Sequence, residues 1–404
     1  MMPLMLETLD DVAWDRLSHA YGPAGDVPAL IKLLTSADAE TRDQARYGLY
    51  GNIFHQGTRY EASAHAVPFL VELTLEPSIP DRAEIVLLLT GLAIGYPHDY
   101  MVSPFPVAEL RSAVGGFGAT WRADASARYL WWVKDIENRQ PPNEVERQIA
   151  NALDELRVYE AVRDAVPQPL TLLTDTDEEL AGAVTRALAW FPEQASQTVP
   201  ALTAVAADEA QGSGMRATAL LAAGMAGRDA CPLSNLLARL IHDYDENLRW
   251  AAAGTWALTA GPDAPDTAKS VLRLFGEPAE DDEPHWLRWA WSRADWSLAL
   301  LEVVDEVTAA QVRRQRVAVA LEERWDEGSL WHNRLVTPFQ LAYPDGEPDE
   351  PVPFAKLTPA QRCLVEFLLS HPEALEGDPE GGGYLLREHC LPDEHPALAA
   401  YAAS

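Results

Sequence analysis

One short stretch gathers most of the side chains able to do chemistry: His55, Gln56, Arg59, Tyr60, Glu61 and His65. Imidazole and carboxylate ligands suit zinc or iron, so His55, Glu61 and His65 can be read as a metal set. Their spacing matches no established ligand pattern, and we assign no metal and no other cofactor. In the alternative reading His55 and Tyr60 hydrogen-bond the loop to its neighbouring helices, while Arg59 and Glu61 face solvent. The cluster falls between two helical segments, where a loop is free to specialise in binding. Familiar catalytic signatures are absent: no HExxH, Walker loop, GxSxG elbow or paired CxxC. Gly115-Gly116-Phe117-Gly118 lacks the lysine and the preceding strand of a phosphate loop, and is expected to join helices. No residue is given a catalytic role.

Tryptophan is the second anomaly. Of the 13 in the chain, Trp250, Trp256, Trp286, Trp289, Trp291 and Trp296 fall close together. If one helix runs from His285 to Leu298, then Trp286, Trp289 and Trp296 share a stripe and Trp291 points elsewhere. One stripe must pack on the adjoining helix. The remaining indoles, with Arg288 and Arg293, can line a groove that grips aromatic, cationic or peptide groups. The candidate binding residues are therefore His55, Arg59, Tyr60, Glu61, His65, Trp250, Trp256, Trp289 and Arg293.

The elements that must position them are helices. Across 404 residues, 48% are hydrophobic, enough for a sizeable core. Acidic residues number 62 against 31 basic, a net charge of −31. That field repels phosphate backbones and anionic lipid, which argues against nucleic-acid and membrane partners and favours a basic protein or peptide. The cysteines Cys231, Cys363 and Cys390 are few and scattered, as expected of reduced thiols. The opening MMPLMLETLDDVAW has no basic n-region, and the apolar stretch from Ile85 to Ile94 is half a membrane span, so a cytoplasmic location is expected.

Several stretches share one plan: an apolar helix often opened by Val-Pro or Cys-Pro, a short acidic turn, then an alanine-rich helix. The first copy runs from Val27 to Gly51, with Pro28 in its first turn and Asp38 placed to cap its second helix. Others begin at Val67, Pro169, Val199 and Cys231, and a degenerate copy spans about Ala264 to Leu300. Arg-x-x-Ala recurs early in second helices at Arg42/Ala45, Arg216/Ala219 and Arg249/Ala252, where the arginine can reach a neighbouring acidic turn. These segments resemble HEAT repeats, particularly the compact bacterial type grouped with phycobilisome lyase HEAT-like repeats. The stretch Gly51 to Leu73 resembles a segment recurring in uncharacterised bacterial HEAT-repeat proteins. The resemblance covers most of residues 27–300, departs from the pattern at Leu180-Ala181, and transfers no catalytic residue.

The expected fold is all-α: an α-solenoid of HEAT-like helical hairpins over 1–300, with an irregular insertion at about 97–142. A long helix should run from Asn143 to Val166, on a stripe of Val145, Ile149, Leu153, Leu156 and Tyr159. Residues 301–404 should form a C-terminal helical cap: a helix at about Thr308–Trp325, a Pro- and acid-rich loop at about 337–353, and a restart at the capping box Thr358–Gln361. The resemblance and the charge together point to a scaffold with a concave acidic, Trp-containing surface for a basic partner. One version is an immunity- or antitoxin-like protein masking a basic effector. The alternative is an enzyme or small-molecule binder using the His/Glu/Arg loop or the Trp-lined groove. A nucleic-acid enzyme would need a basic concave track, which the sequence does not offer.

Overall fold

The computed structural model describes residues 5–117, 121, 144–228, 233–278, 292–322, 331–375 and 382–404. Most of the 97–142 insertion, together with Trp286, Trp289 and Trp291, lies outside the described residues. The described chain is helical apart from a two-stranded ribbon, Ser18–His19 against Gly22–Pro23. It forms two compact units, the first covering Met1–Leu240 and the second beginning at Ile241. No helix among the described residues is long and apolar enough to cross a membrane.

The first unit opens with α1 (Val27–Leu33), whose Pro28 occupies the first turn, where its missing N–H has no helical partner anyway. Asp38 accepts the Thr41 N–H at 3.0 Å and starts α2 (Ala39–Asn52). There follow α3 (Glu61–Leu75), α4 (Arg82–Ile94), α5 (Val107–Val114) and α6 (Glu144–Ala165). The unit ends with α7 (Glu178–Leu188), α8 (Ala195–Ala207), α9 (Ser213–Ala226) and α10 (Ser234–Leu240). Along the second helices, α4 packs on α7 and α7 on α9, while α3 and α8 both meet the 3-10 segment Pro169–Thr174. The long α6 packs against α3, α4 and α5 together. Of its expected stripe Leu153, Leu156 and Tyr159 are buried, whereas Val145 is exposed.

Val-Pro opens a helix only at Val27-Pro28. Pro68 and Pro200 lie inside α3 and α8, which begin earlier, at Glu61 and Ala195. Each proline removes one backbone hydrogen bond, a loss set against burial of Val67, Phe69 and Leu70 in α3 and of Val199 and Leu202 in α8. The apolar run after Pro169 is a 3-10 segment rather than an α-helix, with prolines at 167 and 169 limiting regular N–H pairing.

The arginine register acts as expected in one copy and differently in another. Arg42 Nε reaches Asp81 Oδ2 at 2.7 Å, across to the next acidic turn. Its Nη1 also donates to the Ser36 and Ala37 carbonyls at 2.9 and 3.1 Å. Arg249 repeats that second geometry at the same offsets, to the Asp243 and Tyr244 carbonyls at 2.8 and 3.0 Å. In both copies an arginine thus satisfies carbonyls left over where the chain turns ahead of a second helix.

The second unit holds α11 (Glu246–Ala260), α12 (Asp266–Gly276), α13 (Arg293–Val304) and α14 (Glu306–Glu322). After them come α15 (Trp331–Ala342), α16 (Pro359–Ser370), α17 (Gly382–Glu388) and α18 (His395–Ala402). The helix expected from His285 to Leu298 does not run unbroken, because Ser292 is extended and its hydroxyl accepts the Asp295 N–H to start α13 at Arg293; residues 285–291 lie outside the described residues. The expected loop at 337–353 is shorter: α15 continues through Ala342 because Phe339, Ala342 and Tyr343 pack into a core with Leu364, Val365, Leu368 and Leu386. The capping box at Thr358 and Gln361 forms as read from the sequence.

Candidate functional site

The loop singled out by its side chains is a tightly braced surface turn. After α2 the chain makes a 3-10 turn, His55–Gly57, in which Gln56 takes φ 51° and Gly57 φ 82°. Left-handed backbone at a glutamine is strained, and such strain concentrates at working surfaces. A side chain at 57 would strike the Tyr96 ring, its Cβ falling 2.8 Å away, so the turn and Tyr96 are in van der Waals contact. Ser63 closes the start of α3, accepting the Tyr60 N–H at 2.8 Å and donating to the Ile53 carbonyl at 2.7 Å.

Arg59 is the brace beneath. It is 5% exposed, donates through Nη1 to the Gly57 carbonyl, and pairs through Nη2 with Glu155 of α6 at 3.1 Å. Gly95, at φ 77°, makes room for it, since a Cβ there would sit 2.8 Å from Arg59 Nη1. Burial pulls the guanidinium below its usual range, with Glu155 opposing, and burial pushes the Glu155 carboxyl up, with Arg59 opposing. Burial also raises the Tyr100 phenol beside them.

On the solvent side the turn is flanked by aromatics. Tyr21, 64% exposed, bonds His55 Nδ1 through its hydroxyl at 3.2 Å, with ring centroids 5.3 Å apart. The ribbon holds Tyr21 in place. Its backbone N–H donates to His19 Nδ1 at 3.0 Å, His19 Nε2 meets Asp26 at 2.9 Å, and Asn52 donates to Asp26 at 2.6 Å. Tyr96, 42% exposed, lies edge-on to Phe54 at 5.7 Å. Between the two tyrosines the exposed Gln56 faces outward.

The structure sets His55 in the turn against Tyr21, Arg59 beneath it against Glu155, Tyr60 at the start of α3, and Glu61 and His65 one turn apart along α3. It corrects the reading in which Arg59 and Glu61 face solvent, for both are buried, at 5% and 8% exposure. Arg59 must be inside because its guanidinium spans the Gly57 carbonyl and Glu155. Among the described residues no His, Cys, Asp or Glu group could hold a metal ion, so His55, Glu61 and His65 do not form a ligand set. His65 lies on α3 with its ring partly in solvent, and its imidazolium is disfavoured first by partial desolvation and then by Arg157, with Glu61 opposing.

Trp250, Trp256 and Arg293 belong to the second unit and are placed differently. Trp250 has no exposed surface, donates to Ser297 Oγ at 2.8 Å and meets Trp296 edge-on at 5.5 Å. It is core and cannot touch a partner. Trp256 is half-buried, and Trp289 lies outside the described residues. Arg293 lies over the Phe275 ring at 4.5 Å and pairs with Glu246 at 3.1 Å, so its guanidinium is engaged within the unit.

Sequence reasoning missed Tyr21, Tyr96, Tyr100, Glu155 and Arg157. Tyr96 carried a signal, following a glycine at the end of an apolar helix. Glu155 carried none, because a carboxylate off the apolar stripe of a long helix reads as solvated.

No protein-family model matches the sequence, and no curated protein matches it. One similar solved structure is a crystal structure of an engineered protein, at 17% identity over 94% of this chain and 99% of that one. Its TM-score is 0.28, and nothing about fold or function is carried over from it.

Proposed function

We propose that this chain is a binding scaffold, a HEAT-type α-solenoid that grips a basic protein or peptide through the face formed by Tyr21, Gln56 and Tyr96. The observation carrying this reading is the pair of exposed tyrosines on either side of a turn that is held rigid from below. Tyrosine supplies large contact area at small entropic cost, and a pre-ordered surface loses less freedom on binding. Arg59, Ser63 and the ribbon fix the turn before any partner arrives, while strained Gln56 is kept outward rather than relaxed inward. The net charge of −31 favours a basic partner and speeds its encounter. The repeated Arg42 and Arg249 geometry supports the repeat reading, since one device closes the inter-helix turn at two distant places.

The test is partner capture on wild type and on the Tyr21→Ala/Tyr96→Ala double variant. If both tyrosines are anchors, the variant binds at least about 30-fold more weakly, the loss of a single strong anchor residue. A partner held equally by both proteins would remove this face from the account.

A further inference from the structure

The ribbon that carries Tyr21 is pinned through one histidine whose two ring nitrogens take opposite roles. The Tyr21 backbone N–H donates to His19 Nδ1 at 3.0 Å, so Nδ1 holds a lone pair. Nε2 then carries the ring proton and donates to Asp26 Oδ1 at 2.9 Å. Only the neutral ring with its proton on Nε2 satisfies both bonds. The ring is 8% exposed, and the neighbouring Ala20 N–H is spent on the Asn52 carbonyl at 3.0 Å. On its far side Tyr21 meets His55 Nδ1 through its hydroxyl at 3.2 Å, so backbone and phenol are tied to two imidazoles. Of the charged groups around His19, Asp26 faces Nε2 and is itself held by Asn52 at 2.6 Å. The 3-10 segment Trp14–Arg16 beside the ribbon carries Asp15 and Arg16, and α3, packed on the ribbon, carries Glu61, His65 and Glu72.

A second proton on this ring has one place to go, Nδ1, and there it meets the Tyr21 N–H head-on. We propose that His19 is a proton switch for the tyrosine face. Uptake of one proton from solvent at Nδ1 breaks the bond from the Tyr21 N–H, frees the ribbon tip and the Tyr21–His55 contact, and weakens partner binding. Asp26 keeps the charged ring in place, since a carboxylate holds an imidazolium more strongly than a neutral imidazole. The ring therefore stays and the backbone moves. Tyr21 is 64% exposed, so its released N–H turns to water and the loss is that of one ordinary hydrogen bond. The effect on binding rests on Tyr21 being an anchor for the partner; the switch itself does not.

The experiment follows the full chain, isotopically labelled at its histidine and tyrosine nitrogens, by NMR against pH. His19→Asn identifies the ring signals and Tyr21→Phe the amide. The proposal expects Nδ1 bare and Nε2 protonated at the alkaline end, then proton uptake at Nδ1, with the Tyr21 amide shifting at the same midpoint. His19→Asn keeps a side-chain oxygen two residues before the Tyr21 N–H, the geometry of an Asx turn, and cannot take the proton. Its Tyr21 amide should stay still across the same range. Asp26→Asn removes the carboxylate that favours the charged ring, so the ring and amide midpoints should move together to lower pH. Partner capture by wild type should fall about fivefold through the His19 midpoint, the net worth of one hydrogen bond, while capture by His19→Asn holds. The switch is overturned if the neutral ring carries its proton on Nδ1, if the Tyr21 amide ignores the His19 midpoint, or if it moves equally in His19→Asn. A coupled shift in the free protein with pH-indifferent capture keeps the switch and instead removes Tyr21 from the binding account.

Discussion

Replacing Glu155 with alanine should unsettle the braced turn from α6, a helix distant from it in sequence. Arg59 is 5% exposed and would keep only the Gly57 carbonyl, with Nε already lacking a partner. Stranding one ion of a fully buried pair costs about 3–5 kcal/mol. The Glu155 side chain keeps 28% exposure, so water partly replaces the lost carboxylate, and about 2–3 kcal/mol is a reasonable expectation. For a unit of this size that is a fall in Tm of roughly 4–12 °C. The partner control is Arg59→Met/Glu155→Leu, which replaces both ions with apolar groups and should lie within about 1 kcal/mol of wild type. It should nevertheless loosen the turn, because nothing then holds the Gly57 carbonyl. Thermal and urea unfolding by circular dichroism gives the cycle, and amide exchange in α3 and α6 assigns the loss to the first unit. A Glu155→Ala protein as stable as wild type, or a double variant as damaged as the single one, would refute the claim that this pair braces the site.

Other expectations follow from the same geometry. Gln56→Gly removes left-handed strain and should stabilise the first unit by up to about 1 kcal/mol, while weakening partner binding if Gln56 is a contact; unfolding and binding measured on one preparation separate the two. Trp250→Ala should cost about 3–5 kcal/mol because the ring has no exposed surface, whereas the half-buried Trp256 should cost less, and urea melts decide this. His65 is held below its ordinary range, so the fold disfavours its charged form. Its contribution is present above the unfolded histidine value of about 6.5 and is lost as pH falls through the lower folded value. Asp81 is held low chiefly by its hydrogen bond from Arg42, so its contribution persists above about pH 4 and disappears as pH drops through the folded value. Stability against pH for wild type, His65→Gln and Asp81→Asn should resolve these two windows.

Local grammar was legible where one side chain decides one backbone feature. The caps at Asp38 and Thr358 formed where the sequence put them, and so did the long helix through Leu153, Leu156 and Tyr159. Proline was a poorer guide. Pro68 and Pro200 lie inside helices because the energy of burying their neighbours outweighs one lost hydrogen bond, a balance that depends on what packs opposite. The site was half legible. Residue types marked His55 to His65, yet the partner that explains Arg59 is Glu155, 96 positions away by their numbering and visible only once α6 folds onto α3. The tryptophan groove lost Trp250 to the core for a similar reason. An indole at 250 packs on Trp296 and hydrogen-bonds Ser297, and nothing in helical spacing alone tells that face from an outward one.

The most direct test of the account is affinity capture from the native cell lysate, at low and high salt, with wild type and Tyr21→Ala/Tyr96→Ala side by side. The account predicts one basic protein or peptide retained by wild type at low salt, released at high salt, and lost from the variant. A partner retained equally by both proteins, or one that is acidic and indifferent to salt, would contradict it.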